Sequence, residues 1–156
     1  MTVRWQLAQV NIAKLRAGID EPELAGFVSE LDRLNTIADR SPGFVWRMQD
    51  EGGNATRIPT PWASDIIANM SVWESIETLE AYIARPEHAA LVGHRRQWFY
   101  PMGGRHLALW WVSVGHRPTL AEAADRLDLL GTNGPTMQAF TFRSTFPPPK
   151  SAPGRH

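Results

Sequence analysis

The sequence predicts an α+β fold: a ferredoxin-like split β-α-β arrangement with a four-stranded antiparallel sheet, helices on one face, and an extra C-terminal helix. Three observations predict it. Hydrophobic residues switch between strand and helix periods in the order β-α-β-β-α-(α)-β-α. The 156 residues suit one domain with a single sizeable core. Cysteine is absent, so neither disulfides nor thiolate-held metals can substitute for that core.

Residues 3–13, VRWQLAQVNIA, alternate and are rich in strand formers. Trp5, Leu7, Gln9 and Asn11 fall on one side, and Gln6, Ala8, Val10 and Ile12 on the other. Pro22 opens a helix over EPELAGFVSELDRLNTIADR, where Leu24, Phe27, Leu31, Leu34 and Ile37 recur at helical spacing. Ser41, Pro42 and Gly43 make a turn, and FVWRMQ after it is a short strand. Residues 50–65 hold two glycines and two prolines and read as a loop of a length associated with function or mobility. IIANMSVW, residues 66–73, is the third strand. Ser75 caps a helix running through Leu79, Tyr82 and Ile83, and Pro86 breaks it. PEHAALVGHRRQWF is a second helical stretch that stops at YPMGG. HLALWWVSV is apolar on both faces and reads as a central strand. Thr119 caps a last helix that Gly131 closes. The domain is therefore expected over residues 1–142, followed by a flexible proline-rich tail at 143–156.

A four-stranded sheet with helices on one face leaves its other face bare, so a second copy is expected to cover it as a homodimer. Formal net charge is zero, with 16 basic and 16 acidic residues, which argues against nucleic acid as a partner. No apolar run reaches the roughly 18–20 residues that span a bilayer, so no membrane partner is expected. MTVRWQLAQV is too short and polar for a signal peptide, and the cytoplasm is the expected location. Seven tryptophans fit either a Trp-rich core or interface, or a flat aromatic-lined pocket for a small molecule.

Several stretches carry a resemblance: LAQVNIA, SPGFVWRMQDEGGNAT, NMSVWES, HRRQWF, LALWWVSVGHRPTLAEA and GPTMQAFTF. From Leu7 to Phe146 the chain resembles the bacterial family catalogued as domain of unknown function 3291. The resemblance implies the dimeric α/β-barrel superfamily, which includes the antibiotic biosynthesis monooxygenases, and so the same fold as the element order. That superfamily also holds haem-degrading enzymes, polyketide cyclases and lactone isomerases, and fold alone does not choose among them.

Asn69 and Trp73 share a strand face with Ser71, while Ala68, Met70 and Val72 take the other. An Asn four residues before a Trp at a strand–helix junction is similar to the pair used by cofactor-independent, quinone-forming monooxygenases of the superfamily. There the amide would hold a phenolic or enolate oxygen, as oriented N–H donors stabilise a developing oxyanion. The plainer alternative is an amide that satisfies backbone groups and an indole in the core. His94, with Arg95 and Arg96, reads as a base with an anion clamp, as an axial haem ligand, or as a solvated helix face. His88 and His94 are six residues apart, not the three or four that share a helix face, and no His-Glu metal motif occurs.

The expected function is cofactor-independent oxygenation of an aromatic or polyketide-like small molecule. The alternatives are a cyclase or isomerase using the same pocket, or a non-catalytic small-ligand- or haem-binding dimer. Asn69, Trp73 and His94 are the candidate catalytic residues. Asn11, Tyr82, Trp98, Trp110 and His106 are the candidate substrate-binding residues. No metal ligands are assigned, no cofactor is required, and haem is the one alternative cofactor, with His88, His94 or His106 as its ligand.

Overall fold

The computed structural model describes residues 4–102 and 106–150. Five strands form one antiparallel sheet: β1 (Trp5–Leu15), β2 (Phe44–Arg47), β3 (Ile66–Trp73), β4 (Phe99–Tyr100) and β5 (Leu107–Ser113). The helices are α1 (Ala25–Asp39), α2 (Ile76–Ile83), α3 (Pro86–Gly93), α4 (Arg95–Trp98) and α5 (Leu120–Asn133). β1 lies between β3 and β5, and β2 pairs with the outer edge of β3. That spatial order, β2-β3-β1-β5, is the split β-α-β pattern, so the α+β, ferredoxin-like expectation holds. The two-residue β4 is an addition. It pairs with Lys14 and Leu15 on the same edge of β1 that β5 uses further back.

Local chemistry sets the element ends. Ser75 accepts from Thr78 N at 3.1 Å while Thr78 reaches back to the Ser75 N–H, a reciprocal cap that starts α2. Thr119 accepts from Glu122 N and starts α5 as expected. The predicted close of this helix at Gly131 is wrong by a turn: α5 runs to Asn133 and ends at Gly134, whose φ of 68° suits glycine. The stretch expected as one helix over 86–99 divides at His94, leaving α3, α4 and the start of β4. Pro22 opens a short 3-10 turn, Pro22–Leu24, ahead of α1 rather than α1 itself.

Register fixes the two faces of the sheet. Leu7 pairs with Trp73, Gln9 with Ser71 and Asn11 with Asn69, so these six side chains share one face. Leu7, Trp73 and Leu109 pack there with Leu79, Ala38 and Phe140, under α1 and α2. Further along the same face, Leu15, Leu24, Phe27 and Trp98 form a second cluster under α1 and α4. The opposite face carries Ala8, Val10, Met70, Val72 and Trp110, buried against Ala123, Leu127 and Leu130 of α5.

That last contact corrects one expectation. The second sheet face is not bare, because the chain covers it with its own C-terminal helix. The inference from a bare face to a homodimer therefore loses its premise. Packing also extends into the predicted tail. Trp111 Nε1 donates to Phe146 O at 2.9 Å, and the Phe146 ring sits 5.9 Å from that of Phe140. The rest of the predicted tail, at 151–156, and the glycine pair at 103–104 lie outside the described residues.

Candidate functional site

β1 and β3 are central strands, yet Asn11 and Asn69, paired across them, are both exposed. They face a cavity of about 650 Å³ between the sheet and the helices, within the usual range for a drug-sized ligand. Its floor is Asn11, Ala13, Ile67 and Asn69 from the sheet. One wall is Phe27, Leu31, Leu34 and Asn35 from α1, and the other is Tyr82, His88, Leu91 and Val92 from α2 and α3. Arg95, Arg96, Phe99 and Tyr100 line it from α4 and β4, with Met102 and His106 beyond. Ala55 and Thr56 of the 50–65 loop close part of the boundary.

A chain of side-chain hydrogen bonds leads to Asn69. Trp73 Nε1 donates to Ser71 Oγ at 2.9 Å, and an indole N–H can only donate. Gln9 Nε2 donates to the same Oγ at 2.8 Å and to Asn69 Oδ1 at 2.8 Å. The Asn69 carbonyl is thereby occupied, and its NH2 is the end left for the cavity. Gln9 and Ser71 are each 7% exposed, so this relay is shielded from water while its terminal amide is not.

Behind the relay lies an aromatic stack. The Trp73 and Tyr82 rings lie 5.1 Å apart at an interplanar angle of 29°, and Phe44 meets Trp73 edge-on at 5.4 Å. Tyr82 OH donates to Leu34 O at 3.2 Å, tying α2 to α1. Burial pushes the Tyr82 phenol up to about 12, against the opposing pull of Arg47 and Arg85. The His88 ring contacts Tyr82 edge-on at 5.5 Å, and burial lowers its pKa below 6.5. His88 is thus held as the neutral imidazole, a proton acceptor on the cavity wall.

The loop over the cavity is tied down from the sheet. Arg47, on the same face as Ser71, makes a two-pronged pair with Asp39 at 2.8 and 3.2 Å and donates to Gly53 O at 2.6 Å. Asn54 donates to Asp32 Oδ1 at 3.1 Å and accepts from Thr56 N at 3.0 Å. These contacts hold Ala55 and Thr56 over the cavity.

Of the sequence-predicted residues, Asn69, Asn11, Tyr82 and His106 come together on the cavity. Trp73 stands one layer behind, reaching it through Tyr82 and, by way of Ser71 and Gln9, through Asn69. Three others do not reach the lining. His94 sits exposed at the junction of α3 and α4, its ring 6.0 Å from that of Trp98. Trp98 is buried with Phe27 and Leu24. Trp110 is on the opposite sheet face, where Nε1 donates to Glu122 Oε2 at 2.8 Å. Sequence reasoning left Asn35 out altogether; it weighed Arg95 and Arg96 only as an anion clamp beside His94, and His88 only as a haem ligand, and all three line the cavity. Asn35 had no visible signal, because an amide between Leu34 and Thr36 reads as a helix surface. No group of three or more His, Asp or Glu side chains that could hold a metal ion occurs among the described residues. No helix among them is long and apolar enough to cross a membrane.

The family described as Domain of unknown function (DUF3291) matches residues 6–155. No curated protein matches the chain. Among solved structures it is similar to NE2512, a protein of unknown function from Nitrosomonas europaea, at 11% identity over 74% of this chain and 94% of that one, with a TM-score of 0.47. SnoaB, a cofactor-independent oxygenase from Streptomyces nogalater, is 17% identical over 74% of this chain and 96% of its own, with a TM-score of 0.42. Rv0793 from Mycobacterium tuberculosis is 9% identical over 73% and 99%, with a TM-score of 0.47. Likenesses this distant carry no inference about the chemistry of this chain.

Proposed function

This chain belongs to a family whose description names no reaction (DUF3291), and we propose from the cavity itself that it is a cofactor-independent oxygenase of an aromatic or polyketide-like small molecule. The observation that carries this reading is the Asn69 amide, with its carbonyl held by Gln9 and its NH2 directed into a largely apolar cavity. An N–H donor fixed in that way stabilises the oxygen of a phenolate or enolate without having to reorganise during reaction. His88, neutral and on the wall, is the group suited to accept the proton.

The reaction would run on the substrate's own electrons. Loss of a C–H proton to His88 gives an enolate whose oxygen rests on Asn69. The enolate carbon donates electrons to O2 and forms a C–O bond. The resulting hydroperoxide loses water, so a ring methylene becomes a carbonyl, with one oxygen atom in the product and one in water. Trp73 and Tyr82 contribute rigidity here rather than chemistry.

Oxygen uptake with anthrone is the test. Wild type should consume O2, and Asn69→Ala should lose about 10²–10³-fold in rate. Asn69→Ala leaves one Gln9 N–H without its acceptor, so it should cost about 1–3 kcal/mol of stability while still folding, which a melting curve verifies. Turnover without O2 uptake would assign the same pocket to a cyclase or isomerase. The neutral His88 imidazole also supports a haem-binding reading. A Soret band on titration with haemin, lost in His88→Ala, would select it. A homodimer stays within the proposal on different grounds: Trp46 and Trp62, packed against the core on the α5 side of the sheet, are only partly buried. Light scattering of the eluted protein tests it.

A further inference from the structure

We propose that the ligand of this cavity is a flat, multi-ring aromatic carboxylic acid, whose carboxylate sits at Arg95 and Arg96 while its ring oxygens meet the asparagines of the floor and wall. The inference rests on reading the cavity as the substrate site and adds the ligand's charge and shape.

Charge segregation is the first support. The whole chain balances 16 acidic against 16 basic residues, yet the cavity lining holds no Asp or Glu among the described residues. Its fixed charges are Arg95 and Arg96. Arg95 uses Nη1 to donate to Val92 O at 2.9 Å, which anchors the side chain and leaves its other N–H groups available. Neither arginine is paired with a carboxylate among the described residues. Arg16 lies 4.6 Å from the ring centre of Tyr100, itself a lining residue, and adds to the positive field, whereas Lys14, 5.8 Å from the same ring, is paired with Asp65 at 3.8 Å. A planar carboxylate matches the guanidinium fork in two parallel hydrogen bonds.

The neutral end supplies the second support. Asn11, Asn35 and Asn69 offer amides, which suit ring carbonyls and hydroxyls rather than a second anion. Asn35 is only 7% exposed, and its side chain, which lines the cavity, makes no hydrogen bond to the described residues. Its amide atoms keep contact with the cavity, so a ligand oxygen can take the place of solvent there. Phe27, Phe99 and Leu31 between the two ends form apolar walls for a flat ring system.

Isothermal titration with anthraquinone-2-carboxylate and with its neutral carboxamide tests the proposal. The acid should bind about tenfold or more tightly than the amide, and more so at low salt. In the double variant Arg95→Met/Arg96→Met the two should come within about twofold. Both arginines are exposed, so the variant is expected to fold, and an unchanged melting curve verifies it. Asn69→Ala should weaken acid and amide alike, by a similar factor. Equal affinity of wild type for the two probes, or an acid preference that survives in the double variant, overturns the charge assignment while leaving the cavity reading intact. Binding of both probes that Asn69→Ala does not change, or no binding of either, defeats the cavity reading and the present inference with it. A third probe, 2-naphthyl phosphate set against 2-naphthoate, separates carboxylate from phosphate; tighter binding of the phosphate overturns the carboxylate assignment.

Discussion

Gln9 on β1 and Asn69 on β3 are joined by a 2.8 Å hydrogen bond from Nε2 to Oδ1, and that bond decides which end of the Asn69 amide meets the cavity. Ser71 Oγ accepts from both Gln9 Nε2 and the Trp73 indole N–H, so the same hydroxyl links the amide pair to the aromatic stack.

Reversing the relay should cost activity much as removing its last member does. Gln9→Glu replaces the donor with a carboxylate, so Asn69 turns its NH2 back toward position 9 and presents its carbonyl to the cavity. Oxygen uptake with anthrone should fall about as far as in Asn69→Ala, on the order of 10²-fold or more, although Asn69 is still present. Uptake at the wild-type rate in this variant would falsify the orienting role of Gln9.

Ser71 accepts from both Trp73 and Gln9, so Ser71→Ala strands two buried donors at once. Urea unfolding should show a loss of about 1–3 kcal/mol with an unchanged denaturant slope. A loss under about 0.5 kcal/mol, the scale of an ordinary surface change, would mean the relay is not formed in solution.

Gly43 has a φ of 81°, and a Cβ there would meet the Thr78 side chain at 2.4 Å. Its carbonyl also accepts from Glu74 N at 2.7 Å, at the start of α2. Gly43→Ala should therefore cost more than the roughly 1 kcal/mol of a bare left-handed conformation, because Thr78 is held in the α2 cap. A fall in melting temperature of several degrees is the expected reading, about 2–4 °C per kcal/mol at this size.

Two buried groups set the pH limits of stability in opposite senses. Burial raises the Tyr82 pKa from 10 to about 12, so its contribution is complete below pH 10 and is lost as pH rises from there towards 12. Burial lowers the His88 pKa from 6.5, so its contribution is present above pH 6.5 and is lost as pH falls through the lowered value. Melting temperature against pH should show both declines. Tyr82→Phe should flatten only the alkaline one, and His88→Gln only the acid one. A variant that flattens neither limb clears its residue of that role.

Arg47 holds the 50–65 loop through Gly53 O while bracing itself on Asp39. Arg47→Ala should free the loop to swing, seen as faster limited proteolysis within residues 50–65 while the sheet stays resistant. Cleavage at the wild-type rate would assign the anchoring to Asn54 and Asp32 instead.

The sheet was readable because alternation is a local property. The parity of IIANMSVW puts Asn69, Ser71 and Trp73 on one face, and β3 spans those same residues. Gln9 and Asn11 follow by the same rule. Trp110 was not readable, because a strand apolar on both sides carries no mark of which side the cavity lies on. His88 and His94 were confused for a related reason: the break at His94 ends α3, and helical spacing does not carry a direction across it. The periodicity of α5 was equally plain, but the face it would cover is a long-range fact that no window of sequence contains.

The position of that helix has a consequence for synthesis. α5 follows all five strands along the chain, and until residues 120–133 emerge the face bearing Val10, Met70, Val72 and Trp110 lacks its helical cover. Between the completion of β5 and the emergence of α5 the chain is therefore a sheet with one greasy side open. A product stalled or clipped before α5 would be a sticky fragment rather than a smaller working domain.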